Sequence, residues 1–375
     1  MTTSASTTGS ASGSTAGPAI APLTSLRVGG PARRLVVART EDELVEAVLG
    51  ADAAGEPLLL VGGGSNLLVA DAGFEGTVVQ VATTGVRLGS EDACGGAVVT
   101  AAAGERWDAL VARAVAHGWS GVEALSGIPG TVGATPVQNV GAYGQDVSQT
   151  IATVRTLDRV TGRQRTFAGA DLRFGYRTSR LKTERVALHG EHAESRYVVL
   201  DATFQLRLAG RSAPVAYAEL ARRLGVEVGE RVPSADVRAA VLALREGKGM
   251  VWDEAHLHDH DTWSAGSFFT NPVLGPEGAA ALPEGAPRYP AGTGEHGEPL
   301  VKTSAAWLIE HAGFGKGYGL PGPAALSTKH ALALTNRGTA RAADLLALAR
   351  EVADGVRERC GVRIVNEPVL VGCSL

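Results

Sequence analysis

Residues 118–144 contain seven glycines and two prolines and follow neither a helical nor an alternating apolar pattern. A loop of this length inside a globular chain is uncommon and is usually functional. Pro129, Pro136 and the interleaved Ile and Val residues argue against a freely flexible segment. The fold must therefore hold a long, glycine-rich backbone against some other surface.

The later part of this loop, 126–144, consists mainly of small residues. Glycine backbone can press closely against a flat ring system, because it has no side chain in the way. Backbone N–H groups, with Thr131, Gln138 and Asn139, can hydrogen-bond to heteroatoms on the edge of such a ring. An isoalloxazine ring has this shape and this edge, and a flexible glycine loop is the alternative.

A second glycine cluster, Gly62–Gly64, directly follows the apolar run 58–61, which reads as a short buried strand. Consecutive N–H groups in such a turn can converge on one anion, and Ser65 and Asn66 add side-chain donors. This arrangement suits a pyrophosphate, although neither a Walker loop nor a G-x-G-x-x-G fingerprint is present. A tight turn between two strands is the alternative.

Composition excludes several classes of protein for these 375 residues. With a net charge of −4, 45% hydrophobic and 20% charged residues, the chain is typical of a soluble globular protein, with no basic surplus for nucleic acid. No apolar run approaches the ~18 residues that span a bilayer, so we expect no membrane insertion. Three cysteines without a CxxC pair argue against a disulfide framework and for a reducing compartment, the cytoplasm.

The order of apolar and turn residues predicts an α+β fold with mixed sheets. A capping box at Thr40–Glu43 opens a helix, and Gly55 ends it. We expect a disordered Ser/Thr/Ala/Gly-rich tail over 1–20, because such a segment buries too little surface to offset its ordering entropy. Domains are predicted over 21–88, 89–250 and 251–365, followed by a C-terminal strand region over 366–375. Further helices are predicted over 105–117, 215–224, 235–245, 304–311 and 340–360, and a final strand over 362–371.

Three further motifs carry side chains that could take part in chemistry. In FGYRTSRLK, Arg177 offers a planar fork that matches a carboxylate, and a basic surface loop is the alternative. In SAGSFFTNP, Ser267 lies between Gly and two aromatic residues, which indicates a tight, apolar position or else a capped turn. Glu367 interrupts an apolar segment, where a carboxylate is costly unless it is paired or lies on a strand edge.

Two other patterns indicate no site. His256, His258 and His260 alternate with acidic residues, but nothing marks a strand there, so we interpret them as a solvated loop and expect no metal. The segment 313–319, GFGKGYG, follows a helix rather than a strand. We therefore interpret it as a helix C-cap and connector instead of a dinucleotide loop.

The five motifs occur in one order across nearly the whole chain, and in combination they resemble the UDP-N-acetylenolpyruvoylglucosamine reductase family from about residue 22 to 375. The two glycine loops also resemble the wider FAD-binding fold of the vanillyl-alcohol oxidase, or PCMH-like, type. YRxSxxK, AGSFF-x-NP and the terminal Glu-Pro narrow the resemblance to the reductase family. It implies a two-subdomain FAD-binding fold with a C-terminal α+β substrate-binding domain.

The same resemblance implies a reaction. FAD would be the bound cofactor, and NADPH would be the co-substrate. UDP-N-acetylglucosamine enolpyruvate would be reduced to UDP-N-acetylmuramate for peptidoglycan, with hydride passing from flavin N5 to the terminal methylene carbon. Ser267 would then protonate the neighbouring carbon, while Arg177 and Glu367 stabilise the negative carboxylate. We expect a monomer with small-molecule partners.

The resemblance also implies the binding residues. Substrate-binding roles fall on Tyr176, Asn271 and Tyr217, the last matching the substrate-loop Tyr of the family's longer-loop type. The cofactor would be held by the two glycine loops. Their members are Val61, Gly62, Gly63, Gly64, Ser65, Asn66, Leu67, Ser126, Gly127, Ile128, Pro129, Gly130, Thr131, Gly133, Ala134, Gln138, Asn139, Gly141, Ala142 and Tyr143.

The chain departs from the family pattern at one motif position. Thr270 stands where the family often has Lys, so Lys248 or Lys302 would have to supply that charge. The segment 275–298 resembles an insertion and has no assigned function. An FAD oxidase or dehydrogenase of the same fold, acting on an alcohol or hydroxy acid, is the alternative enzyme. A non-catalytic flavin- or nucleotide-binding module is the alternative of a different class.

Overall fold

The computed structural model describes residues 17–189, 193–251 and 258–375. The first region of the fold is a small parallel sheet with one helix packed on it. Its elements are β1 (Ala32–Ala38), α1 (Glu41–Ala53), β2 (Leu58–Val61), β3 (Leu67–Val69) and β4 (Phe74–Val81). Because β1 and β2 both pair in parallel with β4, β4 is the central strand of this sheet.

Helix α1 joins the first region to the second. The predicted capping box at its start is confirmed, with Glu43 N donating to Thr40 Oγ1 at 3.2 Å and Thr40 N donating to the Glu43 carboxylate at 3.4 Å. Its buried face, which includes Leu44 and Val48, packs in one cluster with Leu157 and other residues of the second region. The helix is therefore held between two sheets.

The second region is built on an antiparallel sheet. The region comprises β5 (Val86–Asp92), β6 (Gly96–Ala102), α2 (Trp107–Ala116), β7 (Trp119–Ser120), α3 (Thr135–Gln138), β8 (Gly141–Ala142), β9 (Gln145–Asp146), β10 (Ile151–Asp158), β11 (Arg163–Ala168), α4 (Arg180–Thr183), β12 (Arg185–Val186), β13 (Glu194–Ser195), β14 (Tyr197–Leu208), α5 (Ala218–Leu224) and α6 (Ser234–Gly247). The strand order in the sheet is β11-β10-β14-β6-β5. Helix α2 covers this sheet with its apolar side, as the sequence predicts.

The third region packs a long helix and short strands around a separate core. This core also takes in Leu26, Val28 and Leu68 from the first region. The elements are β15 (Val273–Leu274), α7 (Pro276–Ala280), β16 (Tyr289–Thr293), β17 (Pro299–Lys302), α8 (Ala305–His311), β18 (Ala324–Leu326), β19 (Leu334–Asn336), α9 (Ala342–Cys360) and β20 (Val369–Val371). Strand β20 pairs in parallel with β3, so the end of the chain returns to the first region.

The final strand is shorter than the sequence predicts. A strand was expected over 362–371, but only Val369–Val371 is extended in a ladder. Pro368 carries no N–H for a ladder, and Asn366 instead forms an isolated bridge with Phe269. The prediction of a strand carrying Glu367 is therefore wrong, because Glu367 precedes β20.

Two other boundaries differ from the prediction. Of the predicted disordered tail, residues 1–16 lie outside the described residues. The prediction is wrong for 17–20, because Ile20 is fully buried and donates its N–H to Gly30 O at 3.1 Å. The helix predicted from residue 215 begins at Ala218, since Val215 N donates instead to Glu230 O at 2.8 Å. Within the described ranges, no helix is long and apolar enough to cross a membrane.

Candidate functional site

A cavity of about 1230 Å³ lies where the three regions meet. Both glycine loops line it, together with Arg177 from the second region and Ser267 and Glu367 from the third. Pockets for small molecules usually have volumes of roughly 300–1,000 Å³, so this one has room for an extended ligand. The motifs that stood apart in the sequence are thus brought to one place.

The two glycine loops form facing walls that pack against each other. Ser65 Oγ donates to Pro129 O at 3.1 Å. A Cβ added at Gly63 would lie 2.6 Å from the Cα of Gly130, a distance that real Cβ atoms do not show. Glycine is therefore required at Gly63 for close approach of the two chains.

The turn after β2 leaves several backbone donors available. Within the described part of the chain, the N–H groups of residues 63–66 have no backbone or side-chain acceptor. Consecutive free N–H groups in a turn form a concave anion-binding site. A diphosphate group is the ligand that the sequence predicts for this loop.

Arg177 and Glu367 form an ion pair inside the cavity. Arg177 Nε lies 2.9 Å from Glu367 Oε1, and both side chains are largely shielded from solvent. The Nε–H is nevertheless not aligned with the carboxylate, since this buried atom has no hydrogen-bond partner among the described residues. This donor is therefore uncommitted within the described part of the chain.

Two further residues of the second region, Gln138 and Lys182, are hydrogen-bonded to this ion pair. Gln138 Nε2 donates to Glu367 Oε1 at 3.3 Å, and Lys182 Nζ donates to Gln138 Oε1 at 2.8 Å. Lys182 Nζ also donates to the backbone carbonyl of Arg177 at 2.9 Å. Burial lowers the pKa of Lys182, while the nearby charge of Glu367 opposes that change. The four side chains form one connected network.

Ser267 lies beside Glu367 because their neighbouring residues pair. Glu367 N donates to Phe268 O at 2.8 Å, and Phe269 bridges Asn366. Phe268 and Phe269 are almost fully buried, which fixes the backbone that follows Ser267. The Ser267 hydroxyl has no hydrogen-bond partner among the described residues, so it is available to a ligand.

Another wall of the cavity carries tyrosines and a lysine. The rings of Tyr143 and Tyr217 meet edge to face at 5.6 Å. Burial raises the pKa of Tyr143 to about 12 and also raises the pKa of Tyr217, so both are neutral phenols at pH 7. Lys248 Nζ bonds to Glu219 at 2.7 Å and lies 5.6 Å from the Tyr143 ring. Lys248, one of the two predicted substitutes for the lysine absent at Thr270, therefore lines the cavity.

His330 and Arg245 are two cavity residues that the motifs did not indicate. Burial, with the positive charges of Lys248 and Lys316, lowers the pKa of His330 to about 4, so its imidazole is neutral at pH 7. Arg245 donates to Gly127 O at 3.1 Å and to Met250 O at 2.8 Å, and burial lowers its pKa. Neither lies in a motif with a distinctive spacing, so the sequence offered no signal for them.

Most of the predicted cofactor residues line the cavity, but four lie behind its wall. Val61 is fully buried in the hydrophobic core of the first region, and Ser126 Oγ donates to Glu123 O at 2.7 Å. Gly127 N donates to Asp108 at 2.6 Å, and Asn139 donates to Gly175 O at 2.9 Å. These four hold the loops in place, and the predicted direct contact is not supported by their positions.

Two predicted substrate residues, Tyr176 and Asn271, also lie outside the cavity lining. Asn271 N donates to the Tyr176 hydroxyl at 3.4 Å, and Asn271 Oδ1 accepts from Ala305 N at 3.0 Å, at the start of α8. Lys302 Nζ lies 5.3 Å from the Tyr176 ring and does not line the cavity. Asn271 thus links the segment before β15 to the start of α8, while Tyr217, the third predicted substrate residue, lines the cavity.

The acidic and histidine-rich segment predicted to hold no metal is only partly described. His256 and its neighbours 252–257 lie outside the described residues. Asp259 pairs with Lys329 and Asp261 with Arg337, so these carboxylates hold the loop against 328–337. In the rest of the described chain, no group of three His, Cys, Asp or Glu side chains could hold a metal.

The fold and the cavity define the class of protein. A parallel sheet and an antiparallel sheet meet at two glycine walls that line one large cavity, and the N–H groups of residues 63–66 are free at its edge. Residues 32–168 match the FAD binding domain family, and residues 257–371 match the UDP-N-acetylenolpyruvoylglucosamine reductase C-terminal domain family.

Comparison with whole proteins gives the same assignment. The chain is 56% identical to a UDP-N-acetylenolpyruvoylglucosamine reductase of Cutibacterium acnes, covering 95% of this chain and 90% of that one. It is also 56% identical to the Saccharopolyspora erythraea reductase, covering 96% of each chain. The crystal structure of the Thermus caldophilus reductase superposes with a TM-score of 0.59 at 25% identity, covering 94% and 97% of the two chains. This chain belongs to the UDP-N-acetylenolpyruvoylglucosamine reductase family and is an FAD-dependent oxidoreductase of peptidoglycan biosynthesis.

Proposed function

We propose that this protein reduces UDP-N-acetylglucosamine enolpyruvate to UDP-N-acetylmuramate with NADPH as reductant, and that Arg177, Glu367 and Ser267 carry the reaction. FAD, when bound, supplies hydride transfer from NADPH to the terminal methylene carbon of the enolpyruvyl group. The glycine walls and the free N–H groups of residues 63–66 would hold its ring and its diphosphate. The residues present therefore fit this cofactor.

Arg177 acts on the substrate carboxylate. Hydride addition at the methylene carbon places extra negative charge on that carboxylate, and a fixed cation lowers the free energy of such a state more than it lowers that of the substrate. The Arg177 guanidinium lines the cavity, and its Nε–H makes no aligned hydrogen bond to Glu367. Glu367 keeps the guanidinium in place through the 2.9 Å contact.

Ser267 supplies the proton. Its hydroxyl is uncommitted, it faces the cavity, and it lies on the strand-like segment that pairs with residues 366–367. A hydroxyl is a weak acid, but the carbon next to the charged carboxylate is a strong base, and positioned proton transfer contributes about 10²–10⁴-fold. The hydride goes to one carbon of the double bond and the proton to the other, so the reduction is balanced.

One observation carries this proposal: Arg177, Glu367 and Ser267 line the same cavity as both glycine loops, although more than 300 residues separate the first loop from Glu367. We also propose a cytoplasmic monomer. The three free cysteines agree with a reducing compartment.

The test is the Ser267→Ala variant, followed in two half-reactions without oxygen. We expect bound FAD to be reduced by NADPH at close to the parent rate. Reoxidation by UDP-N-acetylglucosamine enolpyruvate should slow about 10²–10⁴-fold. Ser234→Ala is the matched control, because Ser234 is buried and its hydroxyl has no described partner, but it lies outside the cavity.

Unchanged reoxidation in Ser267→Ala would remove Ser267 from the mechanism. A parent protein that is reoxidised rapidly by air but not by the enolpyruvyl substrate would be an oxidase instead. A parent that binds FAD but turns over neither substrate would be a binding module.

A further inference from the structure

We propose that Lys182 is a positioning residue for the reaction. It donates hydrogen bonds both to Gln138, which in turn donates to Glu367, and to the backbone carbonyl of Arg177. Lys182 closes the YRxSxxK motif, whose final Lys has no role in the function proposed above. This inference rests on that proposed function. It assigns Lys182 no contact with the reacting atoms.

The first step concerns the amide of Gln138. An ammonium group has only donors, so the Gln138 atom 2.8 Å from Lys182 Nζ must be the amide oxygen. The amide nitrogen is then turned toward Glu367, to which it donates at 3.3 Å. Lys182 therefore decides which end of Gln138 faces the carboxylate, and without it the amide could rotate and present oxygen to a negative charge.

The second step concerns the backbone of Arg177. Its φ of 56° lies in the left-handed region, which is unfavourable for a residue other than glycine and persists only where surrounding contacts hold it. Lys182 Nζ donates to the carbonyl of Arg177 itself at 2.9 Å. This bond is one of the contacts that hold the turn, and it therefore helps to fix where the guanidinium begins.

The third step concerns how Lys182 itself is held. Ser179, at 1% exposure, donates from Oγ to Val137 O at 2.8 Å, which ties the start of α4 to α3. Leu181 is buried in the hydrophobic core of the second region. With its neighbours on both sides anchored, Lys182 reaches the end of α3, where Gln138 lies. Burial of the ammonium strengthens both of its hydrogen bonds, since competing water is excluded.

The experiment compares Lys182→Met with Arg180→Met, a control in the same short helix. Arg180 pairs with Glu184 at 2.6 Å and does not line the cavity. In Lys182→Met we expect FAD to remain bound and to be reduced by NADPH within about twofold of the parent rate. Reoxidation by UDP-N-acetylglucosamine enolpyruvate should slow about 10–100-fold, with kcat falling more than KM rises, by analogy with the outer partners that orient metal ligands. Arg180→Met should match the parent in both steps.

A double-mutant cycle adds a readout that general damage would not produce. If Lys182 acts through Gln138, then Lys182→Met in a Gln138→Ala background should lose less rate than it does in the parent background. Additive losses would show that Lys182 does not act through Gln138. If Lys182→Met does not retain flavin, Lys182→Gln keeps a polar side chain of similar shape, and the same cycle is run with it.

Failure of this inference is distinguishable from failure of the proposed function. If Arg177→Met slows reoxidation while Lys182→Met and Lys182→Gln do not, the role of Lys182 is overturned and the proposed function stands. If Arg177→Met is reoxidised at the parent rate, the proposed function itself loses its central residue.

Discussion

Arg155 and Arg177 are both arginines paired with carboxylates from other parts of the fold, but they differ in how fully their donors are used. Arg155 donates to Asp201 from Nε at 2.9 Å, and its other nitrogens bond Glu41 on α1 and Gln164 on β11. These bonds clamp α1 onto the second sheet. Arg177 contacts Glu367 at 2.9 Å, yet its Nε–H has no aligned partner among the described residues.

The difference separates a pair that stabilises the fold from a pair that, in the proposed function, binds the substrate carboxylate. Saturated, two-pronged arginine–carboxylate bonds are the strong ones, and they leave nothing for a substrate. An arginine held in a cavity with a donor unused costs folding free energy, which binding of an anion can return. The two arginines should therefore respond in opposite ways to removal.

The largest expected effect is on activity at the cavity. Arg177→Met should slow reoxidation of the flavin by the enolpyruvyl substrate about 10²–10³-fold, because a fixed donor to the developing charge is lost. The free energy of unfolding should fall by less than in Arg155→Met, since Arg177 Nε–H makes no aligned hydrogen bond and Glu367 keeps its bond from Gln138 and the nearby charge of Lys182. Stopped-flow reoxidation and denaturant unfolding measure the two quantities. A large loss of stability with little loss of rate would erase the contrast with Arg155.

The next effect is on stability at the clamp. Arg155→Met should lower the free energy of unfolding by about 2–3 kcal/mol, because Asp201 stays mostly buried without its cation. We place this below the loss for a fully buried pair because 28% of the Arg155 side chain is exposed. Turnover per folded molecule should equal that of the parent. The control is Arg357→Met, which breaks an exposed pair with Asp354 and should cost less than about 1 kcal/mol.

The smallest expected effect is a pH dependence of folding stability caused by His330, which lines the cavity. His330 has a pKa of about 4 in the folded chain against an ordinary 6.5, so between these values the unfolded chain binds the proton that the folded chain does not. Stability contributed by this group is present above pH 6.5 and is lost as the pH falls toward 4, by about 1–2 kcal/mol at pH 5.

His330→Gln should therefore lose less stability than the parent between pH 7 and pH 5 in denaturant unfolding. Glu41, which is bonded to Arg155, should behave differently over this pH range. The hydrogen bond from Arg155 lowers the pKa of Glu41, so the stability that this carboxylate contributes is lost only as the pH falls below the ordinary carboxyl range. Parallel stability curves for His330→Gln and the parent would contradict the assignment.

Local sequence signals predicted the parts of the molecule that local contacts determine. The capping box at Thr40 and the apolar face of α2 follow from residues three and four positions apart, and the structure contains both. The close approach of the glycine loops was also predictable from their clustered glycines, and the structure places Gly63 against Gly130, where a Cβ would not fit. Family membership and the FAD-binding fold followed from these motifs together.

Contacts between distant segments were not predictable in the same way. Nothing near Lys182 in the sequence indicates that its partner is Gln138, 44 positions earlier. Asn139 and Asn271 carry side chains suited to a ligand, but the fold uses both for backbone hydrogen bonds. The strand predicted over 362–371 failed because its apolar residues serve the third core while Asn366 bridges Phe269, a contact that no local pattern contains.

The parallel pairing of β20 with β3 has a consequence for how the enzyme is made. Val369 joins Leu67 in that ladder, and Asn66 donates to Glu367 O across 301 positions of chain. Closing a loop between such remote segments carries an entropic cost that must be overcome before these contacts form. A chain in which β20 has not paired with β3 lacks the ladder that anchors the Glu367 segment beside the first glycine loop. We therefore expect substrate-dependent flavin reoxidation to report whether this pairing has formed.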